Sequence, residues 1–137
     1  MTIILDVEPM GAVRQSRRDA FDPSPAASRY YVFCDELRTK ARLAGYEPGE
    51  VIDIVFYLPM PASWSQRKRR EMDGMPHRQK PDTDNLLKAF ADALLSEDCH
   101  VWDMRGRKFW AVDGAIEIVT TEARILAGVE TNALETL

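Results

Sequence analysis

Apolar residues recur along the chain with two periods, and the alternation between them lays out strands and helices. Thr2 to Val7 (TIILDV) is β-rich with a partial alternation, and Pro9 closes it, so residues 1–8 predict a first strand. From about Ala26 to Ala44, Tyr31, Val32, Leu37, Ala41 and Leu43 fall near helical spacing, with Gly45 placed to end a first helix. Val51 to Leu58 (VIDIVFYL) is short, β-branched and aromatic and stops at Pro59, a second strand with Asp53 turned to solvent or paired. Leu86, Leu87, Phe90 and Leu94 recur at i, i+1, i+4 and i+8, one face of a second main helix running to about Leu95. Asp84 is its expected N-cap, with Asp82 in an extended lead-in after Pro81. Beyond it, Cys99 to Met104, Lys108 to Val112 and Ala115 to Thr121 predict three short strands, separated by turns at Gly106 and Gly114.

The stretches between carry no such period. Within a loop 9–25, Gly11 to Pro25 holds Arg14, Arg17 and Arg18 and two prolines, and reads as a basic loop or arm. Pro59 to Arg70 is a proline-bounded turn that leads into a short basic helix capped by Ser63 or Ser65. Trp64 there either anchors the loop to the core or stacks on a splayed base. The tail 122–137 is weakly amphipathic and is expected to fray or to pack as a helix. Strand, helix, strand, helix and then strands predict one α/β (α+β) domain over 1–137: two layers, a mixed β-sheet and two main helices on one face.

Composition changes this picture little. A chain of 137 residues, 45% apolar and 29% charged, can bury about two thirds of its unfolded surface without staples. No run of 18 apolar residues and no leader-like opening occurs, so neither a membrane span nor a signal peptide is expected. Cys34 and Cys99 lack C-x-x-C spacing, which predicts no zinc motif and no disulfide framework and fits a reducing cytoplasm. Cys34, inside the first helix, is expected to be core filler. The net charge of −4 hides a bunching: between Pro61 and Lys80, six bases (Arg67, Lys68, Arg69, Arg70, Arg78, Lys80) face two acids (Glu71, Asp73).

The acids bunch too. Six carboxylates (Asp82, Asp84, Asp92, Glu97, Asp98, Asp103) lie in and around the second main helix. Asp82 and Asp84 converge if the first lies in the extended lead-in. Two carboxylates about 4 Å apart at an effective dielectric near 20 repel by roughly 4 kcal/mol, so a close pair favours a proton, a lysine or a cation between them. Hard oxygen donors suit Mg²⁺, which is commonly held by one or two carboxylates plus substrate phosphate. The spacing Asp84, Lys88, Asp92 is equally that of an ordinary solvated helix face.

The string Lys80-Pro81-Asp82-Thr83-Asp84-Asn85-Leu86-Leu87-Lys88, followed by Asp92-Ala93-Leu94 and Glu97-Asp98, resembles the signature of the RusA family of Holliday junction resolvases. The likeness extends to Met75-Pro76-His77 before it and a strand-rich segment after it. The resemblance implies a Mg²⁺-dependent endodeoxyribonuclease, with Mn²⁺ as substitute, that resolves four-way junctions in DNA recombination and repair. It implies a catalytic centre of Asp82, Asp84, Lys88 and Asp98, with the three aspartates as metal ligands, and a two-fold homodimer, since two strands must be cut. One departure stands out: the family often places glutamine two residues after the acidic pair, where this chain has Cys99-His100. Asp103 is therefore the reserve for the last carboxylate. Arg14, Arg17, Arg67, Lys68, Arg69, Arg70, His77 and Lys80 are the expected DNA contacts. Two rival classes are a non-catalytic junction binder with structural carboxylates and a metal-dependent transferase. The second ranks last, for want of a Gly-rich phosphate loop.

Overall fold

A computed structural model describes residues 2–14 and 16–120, the Asp98 side chain excepted. The expected tail 122–137 lies outside the described residues. Their elements are β1 (Thr2–Leu5), α1 (Pro25–Leu43), β2 (Val51–Pro59), α2 (Gln66–Met72), α3 (Thr83–Leu94), β3 (Asp103–Ala111) and β4 (Ala115–Val119). Short 3-10 turns occupy Arg17–Ala20 and Asp98–His100. The expected mixed α+β domain is present, with α2 as a short third helix, capped by the Ser65 hydroxyl.

The sheet order is β1-β4-β2-β3, with β2 parallel to β3 and antiparallel to β4. Ile52, Ile54, Phe56 and Leu58 alternate along β2 into the core, as period-two burial requires, and meet Ile118 and Ile116 across the β4 ladder. Tyr30, Phe33, Leu37 and Ala41 of α1 and Leu86, Ala89, Phe90 and Ala93 of α3 complete that core. Each fully buried large side chain, such as Phe90 or Leu37, contributes about 1.5–3 kcal/mol. Cys34 is buried among them, as expected of a filler. The alternate β2 positions are mixed, with Val51 and Val55 buried and the Tyr57 hydroxyl donating to Glu117 at 2.7 Å.

Four local expectations are corrected. Gly106 makes no turn: β3 runs unbroken through it, paired with Ile54, and Cys99 lies in a 3-10 turn and not in a strand. Glycine is required there by contact, since a Cβ at Gly106 would sit 2.9 Å from Leu87 Cδ1 and 3.0 Å from Thr83 Cγ2 of α3. The strand opening the chain is shorter than expected and ends at Leu5, the last residue paired with β4, opposite Ile116. The N-cap of α3 is Asp82, two residues earlier than expected, and its carbonyl accepts the first helical bond from Leu86 at 3.0 Å.

The outer edge of β3 does not stay open. Residues 74–77 run beside it, with Gly74 and Trp110, Met75 and Trp110, and His77 and Lys108 joined by backbone bonds of 2.9 to 3.0 Å.

Gly106→Ala is expected to lower stability by about 1–3 kcal/mol through the forced retreat of α3. A urea midpoint equal to that of the parent chain would show that Leu87 and Thr83 yield without cost.

Candidate active site

The first turn of α3 is held from three sides. From beneath, β3 brings up Lys108, whose Nζ donates to the carbonyls of Gln79 at 2.5 Å and Pro81 at 2.8 Å. From the sheet, Gly106 admits Thr83 and Leu87. From the arm, Asn85 and Ala12 exchange bonds: the Asn85 side-chain amide donates to the Ala12 carbonyl, and the Ala12 N–H donates to the Asn85 carbonyl, both at 3.2 Å. Gly11 sits so close to this turn that a Cβ on it would lie 2.6 Å from Asn85 Nδ2.

What the clamp presents is the D-x-D. Asp82, as N-cap, does not spend its carboxylate on a helix N–H, and its near cation is Lys80 Nζ at 3.7 Å, a solvated pair worth little. Asp84 lies exposed in the first turn, where the partial positive charge of the helix end favours anions. Two exposed carboxylates with unspent oxygens match a hard divalent cation that keeps several waters and takes further oxygens from phosphate.

One and two turns further on, Lys88 and Asp92 are exposed on the same stripe. The helix-face pairing that the spacing allowed is not made, for among the described residues Lys88 enters no ion pair. Asp92 instead accepts a 2.8 Å bond from the Tyr30 hydroxyl of α1. Burial, and then that bond, push the Tyr30 phenol up, so it stays a donor. Val13, Arg14, Tyr30, Arg38, Lys88 and Asp92 line a groove of about 1070 Å³ between α1, α3 and the arm.

The remaining expected residues fall elsewhere. Asp98 opens the turn after α3. Glu97 and His100 share a groove with Leu94 and Leu95, so this turn sits by the C-terminal end of a helix about 18 Å long, with Asp82 at the other end. The structure thus does not bring Asp98 together with the D-x-D. Asp103 pairs with Val51 and, by strand alternation, shares a face with Arg105, to which it is bonded at 3.2 Å, away from α3. Arg14, Arg17, Arg67, Lys68, Arg70 and Lys80 are exposed. Arg69 is half-buried and donates to the carbonyls of Met60 and Pro61. Trp64 takes the anchoring role, packed 4.7 Å from Trp110 with Lys68 over its outer face.

His77 is not the outward contact expected. It is 5% exposed, its ring centroid 4.0 Å from that of Trp110. Residues that sequence reasoning missed are Lys108 and Tyr30, which act through space on the motif. Asn85 was in plain view inside it.

A profile of the endodeoxyribonuclease RusA matches residues 6–121. The chain belongs to the RusA endodeoxyribonuclease family. It is also 29% identical over 124 residues to YqaN, an uncharacterized protein of Bacillus subtilis (strain 168), a match covering 83% of this chain and 86% of that one. The RusA match takes in the arm, the clamp on α3 and the whole of β2 to β4, so the family pattern and the clamped D-x-D coincide.

Burial, and then the Lys108 ammonium, hold the His77 imidazole below its ordinary 6.5. A folded-state value below the unfolded one means that the unfolded chain binds the proton first, so stability is full above 6.5 and declines as pH falls beneath it. His77→Gln is expected to flatten the loss of stability between about pH 7 and about pH 5, read from denaturation midpoints. An unchanged slope would mean that His77 titrates alike in both states.

Proposed function

We propose that this protein is a Mg²⁺-dependent endonuclease, with Mn²⁺ as substitute, that cuts four-way DNA junctions in recombination and repair. The observation that carries the reading is the clamped D-x-D: two exposed carboxylates, one of them a helix cap that makes no cap bond, one turn from a lysine that enters no ion pair among the described residues. Asp82 and Asp84 would hold the cation, which when bound lowers the pKa of the attacking water and neutralises charge growing on the scissile phosphate. Lys88 places an ammonium where that phosphate would lie, and stabilises charge that grows only as the bond breaks. Asp92 accepts from the Tyr30 hydroxyl. The first-turn N–H groups of α3 would favour the phosphate at the helix end.

Affinity would come from the exposed bases of the arm and α2, Arg14, Arg17, Arg67, Lys68 and Arg70, with Lys80 beside the site. These contact the backbone without reading sequence. Two related cuts require two such sites, hence a two-fold homodimer. Asp98 enters only through the family pattern. Its place at the far end of α3 favours one rival, a junction binder that does not cut, which predicts binding without Mg²⁺-dependent nicking.

Labelled four-way junctions incubated with and without Mg²⁺ test the reading. Asp82→Asn and Asp84→Asn should abolish cleavage while binding stays intact or tightens. Cleavage within tenfold of the parent rate would remove the D-x-D from the site. Under single-turnover conditions Lys88→Ala should lose about 2.7–4 kcal/mol of transition-state stabilisation, and Asp92→Ala less. If Lys88→Ala cuts within about threefold of the parent rate, the lysine is structural. Asp98→Asn in the same assay decides whether the third carboxylate takes part.

A further inference from the structure

We propose that Phe21, flanked by Arg17 and Arg18, is a docking site for an unstacked nucleobase at the branch point of the DNA, an inference that rests on the junction-cutting reading above. The ring is 92% exposed, in a protein that buries Phe33, Phe56 and Phe90 at 7% or less. It is not carried on a loose loop. The Asp19 carboxylate, itself only 8% exposed, gathers the turn around it, accepting from the Ser16 N–H at 2.8 Å, the Ser16 hydroxyl at 3.1 Å and the Ser24 N–H at 2.9 Å. Those N–H groups hold the Asp19 carboxyl below the usual carboxylate range, in keeping with an ionised organiser. The Phe21 and Asp22 N–H groups close back onto the Arg18 carbonyl at 3.0 and 2.8 Å.

Both ends of this arm are fixed. It leaves the first turn of α3 through the Ala12 and Asn85 bonds, passes Arg14 at the groove shared with Lys88, and rejoins the fold where the Ser24 hydroxyl caps α1. A hydrogen-bonded turn of the arm therefore holds an aromatic face out to solvent, with the exposed Arg17 and Arg18 adjacent in sequence; the Arg18 and Asp22 pair at 3.7 Å is solvated on both sides. That combination fits one ligand chemistry well. An aromatic face takes any base by stacking and arginines take the flanking phosphates, a sequence-tolerant pairing. Bases of an intact duplex show only their edges, whereas at an opened four-way branch point the terminal pairs of each arm lose a stacking neighbour and present a base face. Phe21 would thus favour branched over linear DNA, while the arginines serve both.

The experiment compares binding of the whole protein to a four-way junction and to a duplex of equal length, without divalent cation, for the parent chain, Phe21→Ala, Phe21→Trp and the Arg17→Ala/Arg18→Ala double variant. Phe21→Ala should weaken junction binding about tenfold or more and leave duplex binding and its salt slope unchanged. Phe21→Trp should keep the preference, and the arginine variant should weaken both substrates. The inference is overturned if Phe21→Ala binds junctions like the parent, or loses junction and duplex affinity equally. It is also overturned if the variant changes the mass of the free protein, which would assign the ring to a contact between copies. Each of these leaves the junction-cutting reading standing, whereas a parent chain with no preference for junctions removes both.

Discussion

The missing side chain at Gly106 is the constraint on which the site depends. It lets Thr83 and Leu87 lie against β3, and so fixes how far along the sheet the first turn of α3 can stand. Once that is set, Lys108, two residues along the same strand face, reaches the carbonyls of Gln79 and Pro81, and the approach to Asp82 is tied down. The arm then closes on Asn85 from the other side. Neither aspartate is held by a bond of its own helix. Their position follows from neighbours supplied by two distant parts of the chain, β3 and the arm.

Charge is arranged around that fixed point, and not by overall composition. The protein is net acidic, with a formal charge of −4, but Asp82, Asp84 and Asp92 stand along α3 while exposed bases gather in the arm (Arg14, Arg17, Arg18) and on α2 (Arg67, Lys68, Arg70). Tyr30 engages Asp92, and among the described residues Lys88, between two aspartates in sequence, makes no ion pair. A lysine neutralised by its own helix would have little to offer a phosphate.

The local patterns were legible where local rules decide. The α1 boundaries, β2, and the short basic helix α2, with Ser63 or Ser65 as its cap, follow from spacing and turn chemistry, and the cap is Ser65. What escaped was decided at a distance. Gly106 within a short polar run looks like a turn until α3 is known to lie on it, and the parallel pairing of β3 with β2 joins segments about fifty residues apart. Local turn chemistry points to Asp84 as the cap with Asp82 in the lead-in, whereas the cap is Asp82, in a segment tied down by Lys108 from far along the chain. His77 seemed a surface group beside a motif, but Trp110 covers it. The separation of Asp98 from the D-x-D was invisible for the same reason, since it depends on where the chain turns after Leu94.

The account stands or falls on where a divalent cation settles. Among the described residues a second ligand group exists at the other end of α3, where Glu97, Cys99 and His100 offer oxygen, sulfur and nitrogen within 4.8 Å of one another. Sub-stoichiometric Mn²⁺ added to isotope-labelled protein broadens amide signals near its site and so separates the two. Broadening that begins at Asp82 to Asn85 and is lost in Asp84→Asn is the predicted result. Broadening centred on Glu97 to His100, with the first turn of α3 untouched, would contradict the claim that the clamped D-x-D is the metal-binding end of the helix.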